Sequence, residues 1–299
     1  MLHFPVLLEE SIGFLVHNKH GVYLDCTFGR GGHSSLILKT LSNKGKLSAF
    51  DKDPDAINYA NQEISDSRFQ IIQQSFNKID SVFKNNSLDG ILFDLGTCST
   101  HFDDKSRGFS FRDDGPLDMR FDFSSGEPLS KWINNASEEE IKEVLFKYGQ
   151  EKNAKSIAKA ICTNRKVAEI NRTSQLSKII LSVSSTKYSK IHPATKSFQA
   201  FRIFINDELT QLEEALLKAK ETVRVGGRIV VISFHSLEDS IVKNSFKSEI
   251  ESLPKEIPLN PIIKKDFDCL AKKIRPSSDE IDKNIRSRSA IMRVFEKIS

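Results

Sequence analysis

The stretch VYLDCTFGRGGHSS, from Val22 to Ser35, predicts a strand, a glycine-rich turn and the start of a helix. Asp51 lies twenty residues after Gly31, at the end of a second apolar run, in AFDKDPDA. A nucleotide-like ligand needs this spacing when its middle lies over a helix N-terminus and its ribose hydroxyls reach an acid on strand two. The stretch therefore predicts a ligand-binding α/β sheet.

Asp25 indicates which class of ligand this turn binds. A dinucleotide fingerprint has the pattern G-x-G-x-x-G, and here Gly29 and Gly31 fit whereas the third position is Ser34. A carboxylate at the mouth of the turn repels a pyrophosphate and favours a ligand with positive charge. S-adenosylmethionine has a sulfonium and an α-ammonium beside its adenosine, so the charge favours it over NAD. The alternative is a doubly wound protein whose glycines serve only the turn.

The composition is that of an ordinary globular protein. The chain has 299 residues, 38% hydrophobic and 28% charged, and this length allows a full core. No apolar run approaches the roughly 18 residues of a membrane span, and MLHFPVLLEE lacks the features of a secretion signal. The 4 cysteines form no C-x-x-C pair. We therefore expect a cytoplasmic protein without a membrane partner, a disulfide or a bound metal.

Positive charge is concentrated in two segments. From Glu127 to His192 there are twelve Lys or Arg against seven Asp or Glu, and from Lys264 to Lys297 there are ten against six. The net charge of the chain is only +4, so the remainder is acidic. Such segments either face a phosphate backbone or form solvated helix surfaces.

The order of elements predicts a doubly wound, mostly parallel α/β sheet with an antiparallel last strand and an inserted all-helical domain. The predicted strands lie at 22–25, 46–51, 69–72, 90–95 and 228–234, with a terminal hairpin formed from 269–274 and from Ser289 onward. The predicted domains are a first core part at 1–125, a helical insert at 126–192 and a second core part at 193–299.

Several helix boundaries are also predicted. Asp53 is an N-cap candidate with Pro54 after it, and Ser137 with Glu140 forms a capping box. One long helix is expected over 195–223, ended by the glycines at 226–227. The loop at 97–125 is too long for an ordinary connection and is a candidate functional segment.

Residues that close the strands are the candidate site, because ligands bind at the carboxyl ends of the strands in open α/β sheets. They are Asp25, the turn of Gly29, Gly31, Gly32 and His33, then Asp51, Phe76, Asp94 and the segment 233–239. Asp94 lies in the apolar run ILFDLG, where a carboxylate is costly to bury without a partner. We therefore assign Asp94 to the site.

Eight motifs in order carry a resemblance to a known family. They are HFPVLLEES at His3, YLDCTFGRGGHS at Tyr23, FDKDPDAI at Phe50, DGILFDLG at Asp89, SRGFSFRDDGPLDMR at Ser106, HPATKSFQAFRIFINDEL at His192, GGRIVVISFHSLEDSIVK at Gly226 and RSRSAIMRVFEK at Arg286. Through them nearly the whole chain resembles the bacterial 16S ribosomal RNA cytosine-N4 methyltransferases and their mitochondrial relatives. The resemblance implies a class I methyltransferase core, a helical insert for RNA, S-adenosylmethionine as donor and methylation of a decoding-centre cytidine in the small ribosomal subunit. Whether the chain is a monomer or a homodimer stays open.

The resemblance also implies donor-binding positions, one of which departs from the family pattern. On this sequence they fall on Gly31, Gly32, His33, Asp51, Phe76 and Asp94, in agreement with the strand ends. After DLG the family has V-S-S-P-Q, whereas this chain has TCSTH, so His101 stands where a glutamine contacts the donor. A histidine still offers one donor and one acceptor, and its protonation adds a pH dependence.

The catalytic candidates are Asp94 and Ser99 after strand four, followed by Asp118 and His235 for contact with the base or for accepting a proton. Cytosine N4 is a poor nucleophile because its lone pair is delocalised into the ring. The site must therefore hold N4 in line with the methyl group and accept hydrogen bonds from its protons. Asp118 and His235 are equally compatible with structural roles.

Two other functions stay open. Methylation at C5 needs a cysteine thiolate that attacks C6, and Cys98 follows strand four, although the proline that normally precedes such a cysteine is absent. A non-catalytic RNA-binding assembly factor is the second alternative, and the intact donor positions argue against it.

The loop after strand four contains aromatic and basic residues, and each group has two possible roles. Phe109 and Phe111 either stack on a base that has left its helix or pin the loop to the core. Arg107, Arg112 and Arg120 either hold phosphates or pair with nearby aspartates.

Overall fold

The computed structural model describes residues 5–184, 192–247, 249–250 and 263–299. The strands are β1 (Val22–Asp25), β2 (Lys46–Asp51), β3 (Phe69–Gln73), β4 (Leu88–Asp94), β5 (Val223–Ser233), β6 (Glu249–Ile250), β7 (Ile263–Lys264), β8 (Phe267–Ile274) and β9 (Ile291–Lys297). The helices are α1 (Leu8–Leu15), α2 (Gly32–Thr40), α3 (Pro54–Glu63), α4 (Ile79–Val82), α5 (Ser99–Asp103), α6 (Leu129–Asn135), α7 (Glu138–Gly149), α8 (Ala154–Asn164), α9 (Thr173–Val183), α10 (Ala194–Ile205), α11 (Glu208–Thr222), α12 (Ser236–Ser245) and α13 (Ser278–Lys283). None of the described helices has the length and apolar character needed to cross a membrane.

The chain forms two compact units. The first comprises Met1–Gly96 with Leu209–Ser299, and the second comprises Thr97–Glu208.

The first unit is built on a seven-stranded sheet in the order β3-β2-β1-β4-β5-β9-β8. Strands β1 to β5 pair in parallel, whereas β9 pairs antiparallel with both β5 and β8. The run LDGILFD of β4 is buried up to its last residue, Asp94, because helices cover both faces of a parallel sheet. The terminal antiparallel hairpin confirms the predicted class I methyltransferase fold.

The topology brings the ends of the central strands to one edge. Strands β1, β2, β4 and β5 end at Asp25, Asp51, Asp94 and Ser233. Because these strands run in the same direction, their last residues and the loops after them share the carboxyl edge of the sheet.

The second unit is helical and extends beyond the predicted insert of 126–192 on both sides. Its core contains Phe109, Leu117 and Met119 of the long loop together with buried residues of the helices. The loop is therefore packed into this unit because its apolar side chains complete the helical core. The capping box of Ser137 and Glu140 is present at the start of α7, as predicted.

The predicted long helix over 195–223 is wrong, because the chain breaks into α10 and α11 at Asn206 and Asp207. The Asn206 side chain accepts a hydrogen bond from the Phe121 amide and donates to the Met119 carbonyl. Asp207 adopts a left-handed conformation with φ 49°. The helix therefore ends where one side chain holds the preceding loop.

The glycines at 226–227 lie in a strand and do not end a helix, contrary to the prediction. Helix α11 ends at Thr222, and Val223 already pairs with Leu88. The pairing register between β4 and β5 shifts in this region, and Gly226 has φ 79°. A glycine is needed there because the irregular strand passes through a left-handed conformation.

Candidate active site

The glycine-rich turn after β1 leads directly into α2. Gly29 and Gly31 have φ of 55° and 71°. A Cβ added at Gly31 lies 2.7 Å from the Phe28 ring, so both conformation and space require glycine there. Within the described residues no side chain caps the first turn of α2. Its backbone amides, at the positive end of the helix dipole, therefore form a binding surface for polar ligand atoms.

Asp51 ties this turn to the end of β2. Its Oδ2 accepts a hydrogen bond from the Gly29 amide at 2.8 Å, and its Oδ1 accepts one from the Asp53 amide at 2.9 Å. Asp53 caps α3 by accepting from the Asp55 amide, with Pro54 at the first helical position, as predicted. The acid at the tip of β2 is thus held beside the turn as a ribose-binding carboxylate requires.

Asp25 lies beneath the turn rather than at its mouth. The side chain is 1% exposed, and its carboxylate accepts hydrogen bonds from the Thr27 amide at 3.1 Å and the Ser34 hydroxyl at 2.7 Å. The serine at the third fingerprint position therefore has a structural reason, since a glycine there leaves the buried carboxylate with one bond fewer. The carboxylate would therefore act on a ligand bound at the turn by its charge, across the backbone, and not by direct contact.

Burial raises the pKa of Asp25 to about 6, against the lowering effect of its bonds to Ser34 and Thr27. The neighbouring Asp51 charge raises this pKa further. At neutral pH the carboxyl is mostly ionised, so the turn retains a negative charge that complements a cationic ligand.

Asp25→Asn should change the pH dependence of stability. Below about pH 3 the carboxyl is mostly protonated in both the folded and the unfolded chain. As pH rises, the unfolded chain loses this proton first, because its pKa is near 3.8 while the folded value is about 6. The folded wild type thus loses about 3 kcal/mol relative to Asp25→Asn between about pH 3 and about pH 7, which urea unfolding measures.

Asp66→Asn is the matched control for this experiment. The hydrogen bond from Arg68 holds the pKa of Asp66 at about 2, so its stability difference from wild type stays nearly constant above pH 5. A pH-independent difference for Asp25→Asn would show that the buried carboxyl does not resist ionisation.

Asp94 is oriented at the end of β4 by two neighbours. Its backbone amide donates to the Thr27 hydroxyl at 2.7 Å, and its Oδ2 lies 3.5 Å from Nδ1 of His33. Nε2 of His33 lies 3.1 Å from the Val6 carbonyl oxygen, so Nε2 carries the ring proton, since a carbonyl only accepts. Asp94 is therefore connected to the glycine turn through Thr27 and to α2 through His33.

Phe76 lies just after β3 and is partly buried. Its ring meets Phe93 of β4 edge to face, with centroids 6.0 Å apart. This packing fixes the ring at the carboxyl edge of the sheet, where an aromatic face suits the stacking of a base.

Two of the other catalytic candidates, Asp118 and His235, are engaged in structural bonds. In the second unit, Arg120 donates to both carboxylate oxygens of Asp118, each at 2.7 Å. In the first unit, His235 is the N-cap of α12 and accepts from the Glu238 amide. The side chain of Ser99 lies outside the described residues. The geometry therefore favours Asp94 over Asp118 and His235.

His101 belongs to the second unit, where it is buried among aromatic rings. Its ring centroid lies 5.1 Å from that of Phe109 and 5.3 Å from that of Phe121. The surroundings of the imidazole in this unit are thus mainly aromatic.

The aromatic and basic residues of the long loop mostly adopt the structural alternative. Phe109 is 3% exposed, and Phe111 stacks on His192 at 4.5 Å. Arg107 is buried and donates to the Phe121 carbonyl at 2.7 Å. Arg112 is exposed and remains compatible with phosphate binding.

Sequence reasoning missed the residues that organise the site. Thr27, Val6 and Ser34 hold Asp94, His33 and Asp25 respectively. Leu7 adds a left-handed turn, and its amide donates to Glu280 of α13. These bonds connect positions far apart in the chain, so no local pattern indicates them, although the serine in place of the third fingerprint glycine was one visible signal.

Comparison with known proteins identifies the family. A model of the MraW methylase family matches residues 1–298. The chain belongs to the MraW methylase family. Three relatives are each named ribosomal RNA small subunit methyltransferase H. They come from Marinomonas sp. (45% identical, covering 99% of this chain and 97% of the relative), Alteromonas mediterranea (46%, 99% and 97%) and Coxiella burnetii (46%, 99% and 99%).

Membership of the MraW methylase family confirms the resemblance seen in the eight motifs. The chain is a methyltransferase with the class I fold, and S-adenosylmethionine is its methyl donor. The glycine turn, Asp51 and the buried Asp25 fit a donor that joins an adenosine to cationic groups. These residues all lie in the first unit.

Proposed function

We propose that the chain methylates the exocyclic N4 of a decoding-centre cytidine in the 16S RNA of the small ribosomal subunit. The observation that supports this most strongly is the match over the whole chain to a methylase family, together with relatives named for the RNA of the small subunit. The methylation takes place in the cytoplasm, where small ribosomal subunits are assembled in bacteria.

The donor half follows from residues of the first unit. When bound, S-adenosylmethionine would supply a sulfonium methyl group: the methyl carbon would bond to N4 as its bond to sulfur breaks, leaving a thioether, and one amino proton would pass to water. Asp51 would hold the ribose hydroxyls, and Phe76 would stack on the adenine. Gly32 and His33 present backbone amides at the start of α2, and Gly31 shapes the turn, its own amide donating to the Phe28 carbonyl. The Asp25 charge stabilises the cation from below the turn.

Asp94 is the residue that we assign to the acceptor nitrogen. A carboxylate that accepts hydrogen bonds from the amino protons localises electron density on N4 and fixes its direction of attack. The bond between its amide and Thr27 limits the motion of this residue. Asp118 and His235 are weaker choices, because their polar atoms already hold Arg120 and the start of α12. Ser99 keeps its place as a second candidate after β4.

Transfer of labelled methyl groups tests the proposal directly. Purified chain, labelled S-adenosylmethionine and small subunits that lack the modification should give nuclease-sensitive label in the RNA. The same assay with naked 16S RNA identifies whether free RNA or the assembled subunit is the substrate. Sedimentation of the purified chain shows whether it is a monomer or a homodimer. Absence of label from both RNA forms, with calorimetry showing normal donor binding, would refute the RNA substrate.

Cys98→Ser separates N4 from C5 methylation. Cys98 is half-buried and lies at the N-cap position of α5. Attack at C5 needs a covalent bond from a cysteine to C6, whereas attack by N4 does not. We therefore expect Cys98→Ser to keep a turnover rate within about threefold of wild type. Loss of transfer with unchanged donor affinity would favour C5 methylation.

A further inference from the structure

Helix α8 divides into an apolar face and a basic face. The buried residues are Ala154, Ile157, Ala158 and Ile161. Lys155 and Lys159 are exposed one turn apart on the opposite face, and Lys152 is exposed just before the helix begins. Between Lys152 and Ala168 the chain has five basic residues and no acidic one. This is the most uniformly basic part of the segment that the sequence marks as positive.

Internal ion pairs do not account for these lysines. Among the residues that the structure describes, no carboxylate forms an ion pair with Lys152, Lys155 or Lys159. The adjacent helix α7 behaves differently, since its Lys142 lies 2.6 Å from Glu139. The charge of α8 is therefore uncompensated within the described chain.

This arrangement disfavours the helix itself. Like charges at positions i and i+4, as in Lys155 and Lys159, cost roughly 0.2–0.5 kcal/mol. Lys155 also lies in the first turn of α8, where the helix dipole is positive and cations are unfavourable. An anion bound along this face would offset both the repulsion between the lysines and the unfavourable interaction with the helix dipole. If the face only had to be soluble, uncharged polar residues in the first turn of α8 would serve without these costs.

We propose that the lysine face of α8, formed by Lys152, Lys155 and Lys159, binds successive phosphates of the substrate RNA strand. Residues four apart on a helix are separated by about 6 Å along its axis, a distance close to the step between neighbouring phosphates. Lys155 and Lys159 have this spacing, and Lys152 lies in the turn just before the helix. Flexible ammonium groups placed in this way follow a backbone and do not select a base. This inference rests on the proposed RNA substrate, and it assigns that substrate a binding surface in the second unit.

Replacing the three lysines by alanine tests the assignment. Binding of small subunits that lack the modification should weaken roughly tenfold or more at about 0.1 M salt, and the slope of log affinity against log salt should fall by about 2–3. The KM for subunits should rise while kcat and the donor Kd stay unchanged. The midpoint of thermal unfolding should equal or exceed that of the wild type, because the repulsion between neighbouring lysines has been removed. A merely structural role predicts a lower midpoint.

Two control proteins complete the test. Replacing all three lysines by arginine keeps the charge and should preserve affinity and salt slope. A triple alanine variant at Lys19, Lys44 and Lys46, which are exposed in the first unit, should bind as wild type does. Wild-type affinity and slope in the α8 variant would overturn this inference alone, provided that the wild type methylates subunits. Failure of the wild type to bind or methylate RNA would instead refute the proposed function, and the inference with it.

Discussion

Asp94→Asn should lower kcat for methyl transfer by about 100-fold or more, with less than a tenfold change in the donor Kd. The asparagine side chain has one acceptor oxygen in place of two. Its NH₂ group is a donor and cannot accept a hydrogen bond from the amino protons of the cytidine, as the carboxylate does. The backbone of Asp94 stays fixed by its bond to Thr27, so the substitution changes the chemistry and not the position. Single-turnover rates and calorimetry measure the two quantities separately.

Asp89→Asn is the matched control on the same strand. Asp89 lies at the amino end of β4, where it accepts from the Val22 amide and the Asn18 side chain. Its loss should lower stability without changing kcat of the folded protein. If Asp94→Asn weakened donor binding and left kcat unchanged, Asp94 would serve the donor alone.

Gly31→Ala should weaken donor binding by about 100-fold or more, which corresponds to about 2.7 kcal/mol. Gly31 has φ 71°, a conformation that costs an alanine roughly 1–2 kcal/mol, and the added Cβ lies 2.7 Å from the Phe28 ring. The turn must shift to relieve this contact, and the amides at the start of α2 shift with it. Calorimetric titration with S-adenosylmethionine measures the loss.

Gly126→Ala is the control for the conformational cost of placing an alanine at a positive φ. Gly126 has φ 70° and no heavy atom within 4 Å of an added Cβ, and it lies in an exposed part of the second unit. It bears the same conformational cost without the clash, so donor affinity should be unchanged. Normal affinity in Gly31→Ala would show that the donor does not use the turn.

Local patterns were enough to predict the sheet and its functional edge. The first four strands, the Asp53 cap and the Ser137 capping box follow from periodicity and neighbouring residues. The strand ends at Asp25, Asp51 and Asp94 then follow from the geometry of parallel sheets. These features depend on interactions within a few residues of each position.

Features that depend on distant partners could not be predicted. The break between α10 and α11 arises because Asn206 binds the loop at residues 119–121, and a helix pattern contains no signal of it. Asp25 was expected at the surface of the turn, yet Ser34 and Thr27 hold it in the interior. The assignment of Asp94 to catalysis stays a prediction.

Nucleoside analysis of methylated small-subunit RNA tests the central claim most directly. The wild-type chain, S-adenosylmethionine with a labelled methyl group and small subunits that lack the modification are incubated together, and the RNA is digested to nucleosides. We expect the label in N4-methylcytidine, from a single decoding-centre position, and labelling about 100-fold slower when Asp94→Asn replaces the wild type. Label recovered only as C5-methylcytidine, or no label in RNA, would contradict the proposed function.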